Sequence, residues 1–252
     1  MAERFPLAPL APLATLASLA ALKIFADGAS LASMVAAARD PRIAGFTTNP
    51  TLMRKAGVAD FRTFAREVLA EIRDKPISFE VFADDTAGMR RQAREIAAWG
   101  DNVYVKVPVT NTRGEPSTEL IRELSAGGVK LNVTALCTLD QVRTVSGALA
   151  GGAPSVISVF AGRIADTGRD PIPLMREALA ICRAADPRIE LLWASPREVL
   201  NIAQAAEIGC DIITVTPDLY AKLALHGKEL GAFSLETVQM FHRDAEAAGY
   251  KL

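Results

Sequence analysis

Eight short runs rich in β-branched and aromatic residues recur along this chain, and the segments between them follow a helical period. The runs are "LKIFAD" (22–27), "RIAGFTTN" (42–49), "ISFEVFA" (77–83), "NVYVKVPV" (102–109), "VKLNVTA" (129–135), "SVISVFAG" (155–162), "IELLWAS" (189–195) and "DIITVTP" (211–217). Apolar runs of this length between turn residues read as strands. The intervening segments, such as "DFRTFAREVLAEIRD", "TLDQVRTVSGALAGG" and "REVLNIAQAAEIGC", are alanine-rich and charged, and many end in Gly or Asp, as helix C-termini and turns do. Strand and helix alternating through short links require a parallel sheet. Eight such units in 252 residues fit one closed (β/α)8 TIM barrel of class α/β. No linker or composition shift marks a second domain. We expect a lead-in with a short helix over 1–21, the barrel over 22–233, and one further helix over 234–252 that is available for contacts between copies.

The stretch "FPLAPLAPLATLASLAAL" (5–22) carries no charge, which raises the alternatives of a signal peptide or a membrane span. Pro6, Pro9 and Pro12 interrupt a continuous spanning helix, and Glu3 beside Arg4 leaves no clear positive leader. An irregular lead-in to the first strand is the expectation, in a cytoplasmic protein. A net charge of −1 with no basic stripe argues against a nucleic-acid partner. Cys137, Cys182 and Cys210 form no CxxC pair, and His226 and His242 are the chain's two histidines, so no metal site is expected.

A barrel makes a sharp demand on each strand, because side chains alternate between the outer helices and the barrel interior. In the fourth run Val103, Val105 and Val107 share one face, and Tyr104 and Lys106 the other. The same alternation sends Lys23, Phe25 and Asp27 inward, with Ser78, Glu80 and Phe82, then Lys130, Asn132 and Thr134, then Ser158 and Phe160, then Thr214 and Thr216. An interior built only for packing favours branched aliphatics, so this polar inner face points to chemistry at the C-terminal strand ends. The blander alternative is a polar, water-filled core without catalysis.

Lys106 lies near its strand end, either in a structural ion pair with Glu80 or Asp27 or as an amine nucleophile that attacks a ketone. Lys23 and Lys130 share the inner face but come earlier in their strands, so spacing alone favours Lys106 without excluding them. Asp27 and Glu80 suit proton transfer in separate steps, or else balance the inner lysines. Asn49 either meets a substrate hydroxyl or caps the turn before Pro50. Asn132, Thr134 and Ser158 order hydroxyls and water, or satisfy one another. Arg163 follows the sixth run, and Ser195 and Arg197 the seventh. On adjacent loops, with the helix start at "SPREVL", they make a phosphate clamp, although either arginine alone reads equally as a surface salt bridge. No GxGxxG, P-loop, HExxH or GxSxG is present, which leaves cofactor-free covalent chemistry through lysine.

The ordered set "IFADGA", "GFTTNPTL", "ISFEVFADD", "VYVKVPVT", "LNVTA", "ISVFAGRIAD" and "WASPRE" resembles the transaldolase family, which includes the small fructose-6-phosphate aldolases. The resemblance runs from about residue 22 to the end. It implies a sugar-phosphate enzyme of carbohydrate metabolism, such as the pentose phosphate pathway or a specialised sugar route, working without a cofactor. It implies that Lys106 forms the Schiff base and that Asp27 exchanges a proton with the C4 hydroxyl. Glu80 and Thr134 would hold a water for imine formation. Asn49, Asn132 and Ser158 would bind hydroxyls, Phe160 would wall the pocket, and Arg163, Ser195 and Arg197 would take the phosphate. Glu80 and Phe160 resemble the transferring branch, since the aldolase branch resembles Gln and Tyr there. Val159 and Pro196 depart from the family pattern of a proline and an aromatic. The expected activity is transfer of a dihydroxyacetone unit from a ketose phosphate to an aldose acceptor. The alternatives are an aldolase releasing free dihydroxyacetone and a catalytically silent sugar-phosphate-binding barrel. Homo-oligomers through the last helix are also implied.

Overall fold

The computed structural model describes residues 21–251. The lead-in expected over 1–21 therefore lies outside the described residues except at its last position. Eight parallel strands close into a barrel in chain order: β1 (Lys23–Asp27), β2 (Ile43–Thr47), β3 (Ile77–Glu80), β4 (Val103–Pro108), β5 (Leu131–Leu136), β6 (Ser155–Val159), β7 (Ile189–Trp193) and β8 (Ile212–Val215). Each expected run matches one of them, β5 extending one residue past its run.

Helices fill the connections: α1 (Leu31–Ala38), α2 (Pro50–Lys55), α3 (Phe61–Glu71), α4 (Thr86–Ala97), α5 (Thr118–Ala126), α6 (Leu139–Leu149), α7 (Ala161–Ala165), α8 (Ile172–Ala185), α9 (Leu200–Glu207) and α10 (Pro217–Ala221). Their starts follow from local chemistry. Asp60, Asp85 and Thr138 each accept a hydrogen bond from a first-turn amide, and Thr138 forms a reciprocal capping box with Gln141. Their buried faces recur at helical spacing, as in Leu120, Ile121 and Leu124 of α5 and Val142, Val145 and Leu149 of α6. These faces meet the outward residues of the strands. Val105, Val107, Phe79, Ile157, Val159 and Ile213 are fully buried, as alternation requires, and each such side chain contributes about 2 kcal/mol by leaving water.

The interior is not polar along its whole depth. Phe25, Val156, Leu192, Ala194 and Ile212 form an apolar cluster with Ala44, Tyr104 and Phe160 packed against it. This plug separates the polar groups at the C-terminal end from a second polar set, Lys23, Ser78, Tyr104 and Glu190, on its other side. The ring of Phe25 fits because β2 carries Gly45, where a Cβ would fall 2.6 Å from the ring.

A second compact unit begins at Ala221. It holds a 3₁₀ turn (Lys222–Leu225) and a long helix, α11 (Leu230–Ala248). Glu229 caps α11 by accepting from the amides of Gly231 and Ala232, and Gly249 ends it in the left-handed conformation. Leu230, Phe233, Leu235, Val238 and Phe241 along this helix are exposed.

Candidate active site

A cavity of about 520 Å³ opens at the C-terminal strand ends. Asp27, Asn49, Glu80, Lys106, Thr134, Ser158, Phe160, Arg163, Ser195 and Arg197 all line it. Alternation placed Asp27, Glu80, Lys106, Thr134, Ser158 and Phe160 inward, positions just past strand ends supplied the other four, and parallel register sets Glu80 opposite Lys106 and Lys106 opposite Asn132. Asn132 is the one expected site residue outside the lining. It is fully buried, donates to Ser78 Oγ at 3.0 Å and accepts from Ser158 Oγ at 2.6 Å. It therefore holds Ser158 in place from behind.

Lys106 is 7% exposed, and its ammonium has two partners. It donates to the carbonyl of Thr48 at 2.9 Å and pairs with Glu80 Oε2 at 3.2 Å. The ion pair and the cavity-facing amine thus coexist and are not alternatives. Exposed Lys23 and half-buried Lys130 lie elsewhere: Lys23 pairs with Glu190, and Lys130 donates to the carbonyl of Asp101. Neither lines the cavity.

Asp27 accepts from Thr47 Oγ1 at 2.9 Å and from Asn49 Nδ2 at 3.3 Å. Burial pushes its carboxyl above the usual carboxylate range. Lys106, Thr47 and Asn49 oppose that shift, and Glu80 adds to it. Asn49 has two jobs, because its side-chain oxygen also caps α2 by accepting from the amide of Leu52 at 2.9 Å. Thr134 Oγ1 is buried without a hydrogen-bond partner in the protein, so this cavity-lining hydroxyl is open to a guest.

Arg163 lies 5.5 Å from the centroid of the Phe160 ring. Arg197 Nη1 donates to Ser195 Oγ at 2.9 Å and to its carbonyl at 3.0 Å, and the rest of the guanidinium grips Asp166 through two bonds. That bidentate grip, reinforced by Arg163, holds the Asp166 carboxyl below its usual range. The lining carries four cationic residues (Lys55, Lys106, Arg163, Arg197) against two acidic ones (Asp27, Glu80), a balance suited to an anionic guest. Lys55, Thr47, Thr51 and Thr214 were not foreseen as site members. Inward alternation on the eighth strand was the available signal for Thr214.

Among the described residues no cluster of His, Cys, Asp and Glu could hold a metal ion, and no helix is long and apolar enough to cross a membrane. Cys182 and Cys210 are buried, and burial pushes their thiols up to about 11 and about 12. Both are inert packing groups.

The sequence model described as Transaldolase/Fructose-6-phosphate aldolase matches residues 24–252. The chain belongs to this family. A protein of Dehalococcoides mccartyi named "Probable transaldolase" is 34% identical over 204 residues, covering 81% of this chain and 91% of its own length. One of the same name from Streptococcus pyogenes serotype M1 is 37% identical over 204 residues, with the same coverage. Among solved structures, a mandelate racemase/muconate lactonizing enzyme-like protein from Rubrobacter xylanophilus has a TM-score of 0.55 at 12% identity, covering 79% of this chain and 54% of that one. A structure titled "Native KDPGal structure" has a TM-score of 0.52 at 14% identity, covering 91% and 96%. At these identities the two structures speak for the barrel fold alone. This transaldolase/aldolase family member thus carries its polar cavity where barrel enzymes keep their chemistry.

Proposed function

We propose that the chain is a class I transaldolase, moving a dihydroxyacetone unit from a ketose phosphate to an aldose acceptor through a Schiff base on Lys106. The observation that carries this reading is the Lys106 amine, buried at the cavity and 3.2 Å from Glu80. Attack requires a neutral amine, and Glu80 is placed to take its proton. The amine adds to the C2 carbonyl, and the carbinolamine loses water to give an iminium. Glu80 and the open hydroxyl of Thr134 hold that water and move its protons. Asp27 then takes the proton of the C4 hydroxyl, C3–C4 breaks, and its electron pair flows into the iminium to leave an enamine. The shortened aldose phosphate departs. The enamine carbon attacks the acceptor aldehyde, Asp27 returns a proton to the new hydroxyl, and water releases the product from Lys106.

Asn49 and Ser158, the latter oriented by Asn132, bind substrate hydroxyls, and Phe160 walls the cavity. Arg163, Ser195 and Arg197 hold the phosphate, the guanidiniums through charge-assisted bonds. Glu80 and Phe160 favour transfer over release of free dihydroxyacetone, by their likeness to the transferring branch. The exposed apolar residues of α11 fit a homo-oligomer, which sedimentation would measure.

Borohydride reduction in the presence of a ketose phosphate tests the core of this proposal. A mass increment of one reduced three-carbon unit on the peptide holding Lys106 is expected, and none in Lys106→Met. Trapping that persists in Lys106→Met overturns the assignment. Product analysis with and without an aldose acceptor separates transferase from aldolase.

A further inference from the structure

Two hydroxyls from strands on either side of β1 stand behind the carboxylate of Asp27. Thr47, at the end of β2, donates to Asp27 Oδ1 at 2.9 Å. Thr214, on β8, is 2.5 Å from Thr47 Oγ1, and either hydroxyl can be the donor in that contact. Both threonines are buried and both line the cavity. β1 pairs with β2 on one edge and with β8 on the other, so the three side chains span the seam where the barrel closes.

Counting hydrogens gives the pair a direction. Each hydroxyl owns one hydrogen. While Asp27 is ionised, the Thr47 hydrogen is committed to the carboxylate, and the Thr47–Thr214 contact is satisfied only if Thr214 donates. When Asp27 holds a proton and turns it toward Thr47, the Thr47 hydrogen is released and points to Thr214. Two O–H rotations convert one arrangement into the other without moving a heavy atom. One donor would suffice merely to fix a carboxylate, and Asn49 already supplies another at 3.3 Å.

We propose that Thr214 is a positioning residue for Asp27, acting through Thr47 to keep its carboxyl aligned in both protonation states as the C4 hydroxyl proton is exchanged. This rests on the reading of Asp27 given above. Donation from Thr214 polarises Thr47 and strengthens its charge-assisted bond to the carboxylate more than the neutral bonds of the protonated state. Removing the Thr214 hydroxyl therefore favours the acid form of Asp27. Lys106 on β4 and Glu80 on β3 also face Asp27, and Lys55, Arg163 and Arg197 line the same cavity. Those charges stay in place when a threonine becomes a valine.

The test is the pH profile of kcat/KM for transfer, read beside borohydride trapping. Thr214→Val should move the acidic limb to higher pH by roughly half a unit and Thr47→Val by about one unit, as one and two lost links in a cooperative chain imply. Thr214→Ser, which keeps the hydroxyl, should restore the wild-type limb. Trapping on Lys106 should persist in all three. The displacement should also appear in Glu80→Gln, where the other carboxyl facing Asp27 is gone. A Thr214→Val limb that overlays wild type, or a Thr214→Ser limb that matches Thr214→Val, overturns the proposal provided Asp27→Asn is inactive in cleavage. If Asp27→Asn still cleaves, it is the reading of Asp27 that fails.

Discussion

Gly162, at the start of α7, permits the closest approach around the phosphate end of the cavity. A Cβ built there falls 1.6 Å from the Ser195 carbonyl oxygen and 2.7 Å from its carbon. Ordinary contact lies near 3.5 Å, so Gly162→Ala requires a displacement of roughly 2 Å. Gly162 is buried, and its amide donates to the carbonyl of Ala194 at 3.3 Å, so the segment from Ser195 to Arg197 is what moves. That segment carries the Ser195 hydroxyl and the Arg197 guanidinium. A misplacement of about 1 Å can cost on the order of 100-fold in rate. We expect kcat/KM for a ketose phosphate to fall about 100-fold, while the same ketose without phosphate loses little, because Lys106, Glu80 and Asp27 lie on other strands. Overpacking of this kind costs about 1–3 kcal/mol and lowers Tm by roughly 2–12 °C for a chain of this size. Paired steady-state assays with and without the phosphate, together with calorimetry, measure both effects. Equal losses for the two donors would refute the phosphate assignment, and no loss for either would refute the close approach.

Three further outcomes follow from the cavity. Glu80→Gln should slow transfer and raise the ratio of free dihydroxyacetone to transfer product; an unchanged ratio removes Glu80 from that choice. Arg163→Ala and Arg197→Ala should each raise KM for the phosphorylated donor by about 10- to 100-fold, as the loss of a charge-assisted bond of about 1.5–3 kcal/mol implies, with smaller effects on an unphosphorylated donor. Asp27→Asn should be inactive yet more stable at neutral pH. The folded state raises the carboxyl's proton affinity, so it binds more protons than the unfolded chain above pH 3.8, and native stability falls as pH climbs through that window. The Tm gain of Asp27→Asn should grow from pH 4 upward, and a gain that shrinks with pH contradicts the direction of the shift.

The barrel was legible because period-two alternation between helical segments admits few other arrangements, and the same rule placed Asp27, Glu80 and Lys106 on one face. Alternation assigns a face but not a height, so it left Lys23 and Lys130 in competition with Lys106. The apolar plug of Phe25, Val156, Leu192 and Ile212 supplies the missing coordinate by separating the two barrel ends. Contacts that run through backbone or across the closure were invisible. The Thr48 carbonyl that accepts a hydrogen bond from Lys106 has no side-chain signature, and Thr47 meets Thr214 only because β8 closes on β1. Asp166, which Arg197 grips, closes the motif "ISVFAGRIAD" but lies a helix and a strand away from Arg197 in the chain, so the motif does not name its partner.

Local geometry that opposes stability concentrates at this same cavity. Among the described residues the non-glycine positions with left-handed backbone are Ala135 (φ 68°) and Ser195 (φ 62°), and both line it. Each costs about 1–2 kcal/mol. Ala135 is the extra residue of a bulge, since Val133 pairs with Ile157 but Leu136 pairs with Val159. Strict alternation would send Ala135 outward and Leu136 inward. The bulge lets Thr134 and Ala135 both border the cavity and returns Leu136 to the buried helix layer. Ser195 turns so that its carbonyl meets Arg197 and the bare face of Gly162, while Asn201 fixes the Arg197 amide from behind at 2.7 Å. An unstrained backbone at either position would be locally more favourable. It would also turn Leu136 toward the barrel interior, or uncouple Ser195 from Arg197. The surrounding hydrogen bonds and the buried barrel wall hold both residues where relaxation is blocked.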